Sequence, residues 1–253
     1  METRILITDL TAMGGDRVCI AGIDREWNAI RPVFSLPDIP IRNDLYMGRQ
    51  VVIRPGAVVT MQLEPLTNPE APHVEDHLWS GSHRMRHAGV LDDERWRNAL
   101  QGLVERSARP LFGAELRALG RQRNRIFLPG EATHSLATVR CRRNLVFRLS
   151  EKDGGGFRYA LSFFDDRGES YQNIPVTDLA LRAWANAQVR QGATTDFISD
   201  LLSTQLNEAH HVYLRLGLGR EYEGKFWLQV NGIYSFPDWL DGRCFADFDA
   251  APG

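Results

Sequence analysis

A run of short strand-like segments, separated by tight turns, fills the first 66 residues and limits the possible folds most strongly. Residues 5–7, 17–23 and 27–33 are rich in strand formers. Residues 50–63 read as a strand pair that is broken at residues 54–56. Five strands of this length and spacing favour a small β-barrel over an α/β sheet.

A helical period begins at Asp92, which stands where a helix N-cap is expected. Apolar side chains then recur three and four residues apart, at Trp96, Ala99, Leu100, Leu103 and Val104. Pro110 interrupts this pattern, so a second short helix is predicted from there to Leu119, closed by Gly120. The middle of the chain is therefore predicted to be helical.

Strand patterns return in residues 135–150, where apolar side chains alternate with Arg140, Arg142 and Arg148. The arginines are therefore predicted to share one face of a strand. The remaining elements are a glycine turn at 153–156, a strand at 157–164, two amphipathic helices, and strands at 211–218 and 226–234. This order predicts a mainly β protein with helical insertions, in which two β lobes flank a helical segment.

The cellular setting follows from segments that the sequence lacks. No stretch approaches the roughly 20 apolar residues that span a bilayer, and the N-terminus has no signal-peptide layout. The cysteines, Cys19, Cys141 and Cys244, are odd in number and widely spaced, which argues against a disulfide framework or a zinc ribbon. We expect a cytoplasmic protein with no membrane contact and no cofactor.

Basic residues are concentrated in one part of the chain. The net charge of −2 excludes a histone-like polycation, yet residues 81–148 hold 14 arginines against six acidic residues. A basic face of this kind most often meets a phosphate backbone. Arg121, Arg123 and Arg125 repeat at the strand period and therefore point the same way. The alternative is that these arginines pair with acids or cover apolar surface with their stems.

Two kinds of catalytic motif are missing. Gly224-Lys225 is followed by Phe226 rather than by Ser or Thr, so there is no P-loop. No Gly-x-Ser-x-Gly nucleophile elbow is present either. The sequence therefore favours a non-catalytic protein.

A histidine-rich segment leaves a metal-dependent enzyme open as an alternative. The candidate ligands are His73, Glu75, Asp76 and His77, with His83 and His87 further along the same segment. Neutral imidazoles and carboxylates are ligands for zinc or manganese. Pro72 and the Ser-Gly-Ser stretch at 80–82 favour instead an irregular polar loop whose groups hydrogen-bond locally.

Aromatic and amide side chains suggest contacts to bases. In the last predicted strand, Trp227, Gln229 and Asn231 share one face. An aromatic ring with two amides can stack on bases and hydrogen-bond their edges. Trp27, close to Arg31, offers a similar pairing in the first lobe. Core packing is the alternative for either tryptophan.

Several segments resemble the dual-OB-domain proteins of prokaryotic conflict and DNA-modification systems. The opening lobe matches at residues 8–13, 17–24, 27–32 and 72–76, and the closing lobe at 216–220, 227–234 and 237–238. The resemblance implies two small OB-like β-barrels joined by a helical segment. The predicted domains are 1–90 for the first barrel, 91–120 for the helical linker, 121–240 for the second barrel with two inserted helices, and 241–253 for an acidic tail.

These observations lead to a main hypothesis and two alternatives. The chain is predicted to bind single-stranded or distorted DNA or RNA, as an accessory component of a prokaryotic defence or DNA-modification system. The predicted contacts are Arg17, Arg31, Arg140, Arg142 and Arg220 with phosphates, Trp27 and Trp227 with base faces, and Gln229 and Asn231 through hydrogen bonds. The alternatives are the metal-dependent nucleic-acid enzyme and a protein–protein adaptor in such a complex.

Overall fold

The computed structural model describes residues 1–34, 39–79, 85–107, 110–119 and 124–248. Its first part contains β1 (Glu2–Ala12), β2 (Val18–Ile23), β3 (Ala29–Val33), β4 (Tyr46–Met47), β5 (Gln50–Val51), β6 (Ala57–Pro65), β7 (Asp76–Trp79), β8 (Arg86–Val90) and α1 (Asp93–Arg106). Its second part contains β9 (Arg117–Leu119), β10 (Asn124–Phe127), β11 (Leu136–Arg140), β12 (Val146–Glu151), β13 (Phe157–Phe164), β14 (Ser170–Pro175), α2 (Leu179–Arg190), α3 (Thr195–Glu208), β15 (His211–Leu218) and β16 (Phe226–Phe236).

The first barrel is a closed ring of the five strands β1, β2, β3, β7 and β6. The long strand β1 closes the ring because its C-terminal part pairs with β2 and its N-terminal part with β6. β3 and β7 run parallel, and β8 extends the sheet beyond β6. Alternate side chains fill the interior, such as Ile5 and Ile7 of β1 and Met61 of β6, all of which are fully buried.

The second barrel is a curled half-barrel in which β11 and β12 act as one bent strand. β11 pairs with β15, whereas β12 pairs with β13 on the other side of the bend. β14 follows β13, and a parallel bridge between Val176 and Val230 connects its end to β16. Helices α2 and α3 are inserted between β14 and β15. The predicted fold class, mainly β with helical insertions and two OB-like barrels, is therefore confirmed.

The linking helix α1 begins where the sequence predicts. The Asp92 carboxylate caps it by accepting the Arg95 N–H at 2.8 Å. Leu100 on its apolar face packs against Tyr213 of β15, so the helix is tied to the second barrel. Within the described part of the chain, no helix is long and apolar enough to cross a membrane.

The helix predicted from Pro110 to Leu119 is wrong. A single 3-10 turn forms at Leu111–Gly113, and strand β9 follows it. Phe112 and Gly113 have φ values of 63° and 81°, a left-handed conformation that an α-helix cannot contain.

The irregular loop predicted around His73–His77 is also partly wrong, because Asp76 begins strand β7. This strand completes the first barrel by pairing with both β3 and β6. The hydrophobic pattern of the sequence does not indicate this strand because its first residues are polar. Asp76 is buried against arginines rather than against apolar side chains. Residues 80–82, the rest of the predicted loop, lie outside the described residues.

A buried ion pair joins the two barrels. The Arg215 Nε of β15 lies 3.1 and 3.0 Å from the two carboxylate oxygens of Asp9 on β1, and Nη2 donates at 2.8 Å. The Nη1 atom donates to Thr138 Oγ1 at 2.7 Å, and Thr8 Oγ1 donates to Asp9 at 2.8 Å. Every partner is buried, so the pair fixes one barrel on the other without contact to solvent.

Candidate nucleic-acid interface

Arg31 lies inside the seam between the barrels. Its Nε donates to Asp76 at 2.5 Å and its Nη1 to Ser135 Oγ at 3.2 Å. Glu75 accepts hydrogen bonds from the N–H and hydroxyl groups of Ser135 at 2.7 and 2.9 Å and from the Leu136 N–H at 3.2 Å. Only 5% of Arg31 is exposed. Its guanidinium therefore holds the barrels together and presents no open face to a phosphate.

The four predicted metal ligands face different surroundings. His73 packs edge-on against Phe226, with ring centroids 5.7 Å apart, while His77 Nδ1 lies 2.8 Å from the Glu75 carbonyl oxygen. The carboxylates of Glu75 and Asp76 already bind Ser135 and Arg31, respectively, between the two barrels. Among the described residues, no three His, Cys, Asp or Glu side chains are arranged to hold a metal ion, and His83 lies outside those residues.

Acid should destabilise the protein through His73. Burial, with the nearby Arg31 and Arg220, lowers the pKa of His73 to about 3, whereas an unfolded histidine has a pKa of about 6.5. The unfolded chain therefore takes up this proton first, and the stability is present above pH 6.5 and lost as the pH falls toward 3.

We expect the free energy of unfolding, measured in urea between about pH 7 and pH 4, to fall less in His73→Phe than in the natural protein. Burial raises the pKa of Asp178 to about 6, which gives the opposite trend in both proteins and cancels in their difference. An identical pH dependence of the two proteins would contradict the assignment.

The hairpin that joins β15 to β16 carries exposed basic and aromatic side chains. Arg220 is 55% exposed along its side chain, although its Nη2 also donates to Asp76 at 2.6 Å. Tyr222 is 65% exposed, and Trp227 Nε1 donates to its carbonyl oxygen at 3.3 Å. Tyr222 is not among the predicted contacts, although an aromatic residue two positions after Arg220 in a predicted turn indicates such a role. OB-folds commonly use this connection between their last two strands to bind oligonucleotides.

Trp227, Gln229 and Asn231 lie on the outer face of β16, opposite a buried row. Gly217 and Gly219 on β15 and at its end make room for the two amides. A Cβ atom would lie 2.1 Å from the Asn231 amide nitrogen at Gly217 and 2.4 Å from that of Gln229 at Gly219. Asn231 is buried, whereas Trp227 and Gln229 are partly exposed. The last two are therefore available to a ligand.

Arg140 and Arg142 lie together at the bend between β11 and β12. Arg140 Nε is 3.7 Å from the Asp166 carboxylate, and Arg142 donates to the Asp166 carbonyl oxygen at 3.1 and 2.6 Å. Arg17 is separate from them, in the exposed turn between β1 and β2, where it donates to the Gly14 carbonyl oxygen at 2.8 Å. Arg121 and Arg123 lie outside the described residues.

The outer surface of strands β12, β13 and β14 forms an open sheet face. Its members on β12 and β13 are Val146, Arg148, Ser150, Arg158, Ala160, Ser162 and Phe164. Arg148 is opposite Ala160, and Arg158 is opposite Ser150, so the two exposed arginines are diagonal neighbours on adjacent strands. Within the described part of the chain, neither arginine forms an ion pair.

The remainder of the open sheet face suits a flat ligand. Ala160 is buried and Ser162 is partly exposed, so neither side chain projects from the centre of the face. Phe164 is 37% exposed at one end, and Val146 is 44% exposed beside it. An exposed ring at one end of a face that also carries exposed guanidinium groups can stack on one base while those groups bind phosphates further along the strand.

Helix α3 closes the edge of this sheet but leaves its face free. Ser199 and Ser203 accept hydrogen bonds from the backbone N–H groups of Leu149 and Phe147 at 2.9 and 3.0 Å. Asn207 continues the row by accepting from the Leu145 N–H at 3.0 Å. Side chains on one side of the helix therefore take the place of a neighbouring strand and accept the hydrogen bonds of the backbone N–H groups at the β12 edge.

The two barrels and the inserted helices belong to a chain that matches a known family over most of its length. The family model described as a dual OB-containing domain matches residues 4–233. The chain belongs to the dual OB-containing domain family. OB domains commonly bind nucleic acids, so membership supports nucleic-acid binding as the general function. None of the curated proteins matches the chain.

Trp27 occupies a structural position in this dual OB-containing domain. The Arg106 guanidinium of α1 lies 4.4 Å from the centroid of its ring, and the edge of the ring contacts Gly102 of the same helix. Trp27 also has a φ value of 69°, which is rare for a non-glycine residue. The ring therefore connects the first barrel to α1, and Arg106 covers one of its two faces.

We expect Trp27→Ala to lower the free energy of unfolding by about 1–3 kcal/mol, because it removes the cation–π contact and the packing on α1. Urea unfolding measures the change, and Trp27→Phe should retain part of the stability. A loss below about 0.5 kcal/mol for the alanine variant would show that the ring contributes no more than an ordinary surface residue.

Proposed function

We propose that this dual OB-containing domain binds single-stranded nucleic acid on the open sheet face of its second barrel. The observation that carries the proposal is the exposure of Arg148 and Arg158, two guanidinium groups on adjacent strands that form no ion pair and lie under no helix within the described ranges of the chain. Arginine matches the geometry of a phosphate with two parallel N–H donors. The preferred ligand is therefore a chain of phosphates.

Single strands suit this face better than a duplex. The ring of Phe164 is exposed at the end of the sheet, and it can stack only on a base whose face is free. The short side chains of Ala160 and Ser162 leave room for a flat ring over the sheet between Phe164 and Arg148. In a duplex the base faces are stacked on one another, so only the phosphates would be in reach.

Titration of the protein into a fluorescent single strand of about 15 nucleotides tests the proposal by anisotropy. We expect single-stranded DNA or RNA to bind more tightly than the matching duplex, and the affinity to fall with salt. Two phosphate contacts to a single strand predict a slope of about −1.4 for log K against log salt. Undetectable binding at tens of micromolar protein, or binding that is insensitive to salt, would refute it.

The β15–β16 hairpin is proposed as a second contact on the same ligand, through Arg220, Tyr222, Trp227 and Gln229. We expect Tyr222→Ala and Trp227→Ala each to weaken binding about fivefold or more, because stacking contributes about 1–3 kcal/mol per base. The same anisotropy assay measures both, with Phe197→Ala as a control because Phe197 is an exposed aromatic residue on α3. Equal affinity of the hairpin variants and the control would exclude the hairpin.

We further propose a role as an accessory component of a prokaryotic defence or DNA-modification system. The resemblance of short segments at both ends of the chain to such proteins supports this context: residues 8–13, 17–24 and 27–32, and residues 216–220, 227–234 and 237–238. Purification from the native host, with and without nuclease treatment, tests it. Partners that are lost after nuclease treatment would indicate assembly through nucleic acid, whereas partners that remain would favour the protein–protein adaptor.

A further inference from the structure

A cleft lies where both barrels, α1 and the C-terminal segment meet. It has a free volume of about 190 Å³ and is separate from the open sheet face and the β15–β16 hairpin. Trp96 of α1 and Tyr234 of β16 form its aromatic wall, with ring centroids 5.1 Å apart and an interplanar angle of 76°. Phe236 and Phe245 add further apolar surface. A concave apolar site of this kind, with a few polar groups, is the usual form of a small-molecule site.

The polar groups in the cleft include donors and acceptors that the protein does not use itself. Asp93 and Arg54 both line it, and neither side chain has a hydrogen-bond or ion-pair partner in the parts of the chain that the structure describes. Asp238 also lines the cleft, where it accepts the N–H groups of Leu240 and Gly242 at 3.1 and 2.8 Å. Arg243 lines the cleft as well, but its Nε already donates to the Leu240 carbonyl oxygen at 3.0 Å and its guanidinium lies over the Phe248 ring. The cleft therefore offers carboxylate acceptors and the guanidinium of Arg54 around aromatic rings.

The titration of these groups is consistent with a binding site. Burial raises the pKa of Asp238, and the negative charge of Asp93 nearby raises it further. Burial also raises the pKa of Asp178 to about 6 and that of Tyr234 well above its ordinary value. Groups with shifted pKa values are concentrated in binding and catalytic sites.

We propose that this cleft binds one flat heteroaromatic ring that carries an exocyclic amino group, of the class of free adenine or cytosine nucleosides and nucleotides. The ring packs against Trp96 and Tyr234. The two N–H bonds of the amino group suit the adjacent carboxylates Asp93 and Asp238, which can only accept. Arg54 donates to a ring nitrogen or carbonyl oxygen. A simple ammonium ligand fits less well, because Arg54 would repel it.

Titration of the full chain with adenosine monophosphate, cytidine monophosphate and uridine monophosphate tests the site by calorimetry and by the shift in Tm. We expect the first two to bind and to raise Tm, and the uridine nucleotide to bind about tenfold more weakly, because it lacks the amino group. Asp93→Asn should weaken adenosine monophosphate about tenfold. Asp196→Asn is the matched control, because Asp196 lies in the first turn of α3 just as Asp93 lies in the first turn of α1.

Three results would overturn the site: equal binding of the uridine nucleotide, no response up to about 5 mM nucleotide, or the same affinity in Asp93→Asn and Asp196→Asn. Spermidine binding in place of the nucleotides would assign the cleft to amines and overturn it as well. The outcome is independent of the open sheet face, because Asp93→Asn should leave single-strand binding unchanged. Replacement of Arg148 and Arg158 by glutamate should weaken single-strand binding and leave nucleotide binding unchanged.

Discussion

Arg215→Met should lower the free energy of unfolding by about 3–5 kcal/mol. The substitution keeps an unbranched apolar stem but removes the guanidinium that contacts both Asp9 oxygens. Asp9 then remains as a buried charge between the barrels whose chief partner is gone, and the Thr8 hydroxyl is the one donor left to its carboxylate among the described residues. No guanidinium then compensates for the lost solvation of this charge, so the folded state becomes much less stable.

A double-mutant cycle in urea separates the ion pair from the general effect of substitution. Asp9→Asn combined with Arg215→Met should cost much less than the sum of the two single changes, because no unpaired charge remains. Arg4→Met is the matched control, since Arg4 is an exposed arginine on β1 and should change stability by less than about 0.5 kcal/mol. A loss below about 1 kcal/mol for Arg215→Met would contradict the role of this pair in joining the barrels.

The double variant Arg148→Glu/Arg158→Glu should reduce the affinity for single-stranded nucleic acid about a hundredfold or more. A hydrogen bond between charged groups contributes about 1.5–3 kcal/mol, and two such losses correspond to at least a hundredfold. Charge reversal adds repulsion between the new carboxylates and the phosphates. Because two phosphate contacts disappear, the slope of log K against log salt should also become shallower by about 1.4.

The control for this variant must change the charge equally at another place. Arg4→Glu/Arg49→Glu changes two exposed arginines of the first barrel by the same amount. We expect it to lower the affinity only slightly, through the overall field of the protein. Equal losses in the two double variants would mean that binding depends on net charge rather than on the open sheet face. An unchanged salt slope in Arg148→Glu/Arg158→Glu would have the same consequence.

The barrels and α1 could be predicted because their side chains alternate or recur in simple periods. β7 could not, because Asp76 is buried by ion pairs with Arg31 and Arg220. A hydrophobic pattern cannot show a partner that is more than 40 residues away. The helix predicted after Pro110 fails for a related reason, since the left-handed conformation of Phe112 depends on tertiary contacts rather than on local propensity.

The candidate site could be predicted only in part. Alternation along the chain placed Arg148 on an outer face, but whether that face is covered depends on where α3 packs. Arg31 has the same residue type as Arg148, yet it lies buried in the seam. A charged residue in a strand pattern therefore predicts the side of the sheet it occupies, not whether a second domain covers that side.

Photo-crosslinking of a single strand that contains 4-thiouridine, followed by mass spectrometry of the crosslinked peptides, tests most directly whether nucleic acid binds the open sheet face. We expect crosslinks in the peptides of β12 and β13, with Phe164 among the modified residues. These crosslinks should disappear in Arg148→Glu/Arg158→Glu and persist in Arg4→Glu/Arg49→Glu. Crosslinks confined to the first barrel, or unchanged in the open-face variant, would contradict the proposed interface.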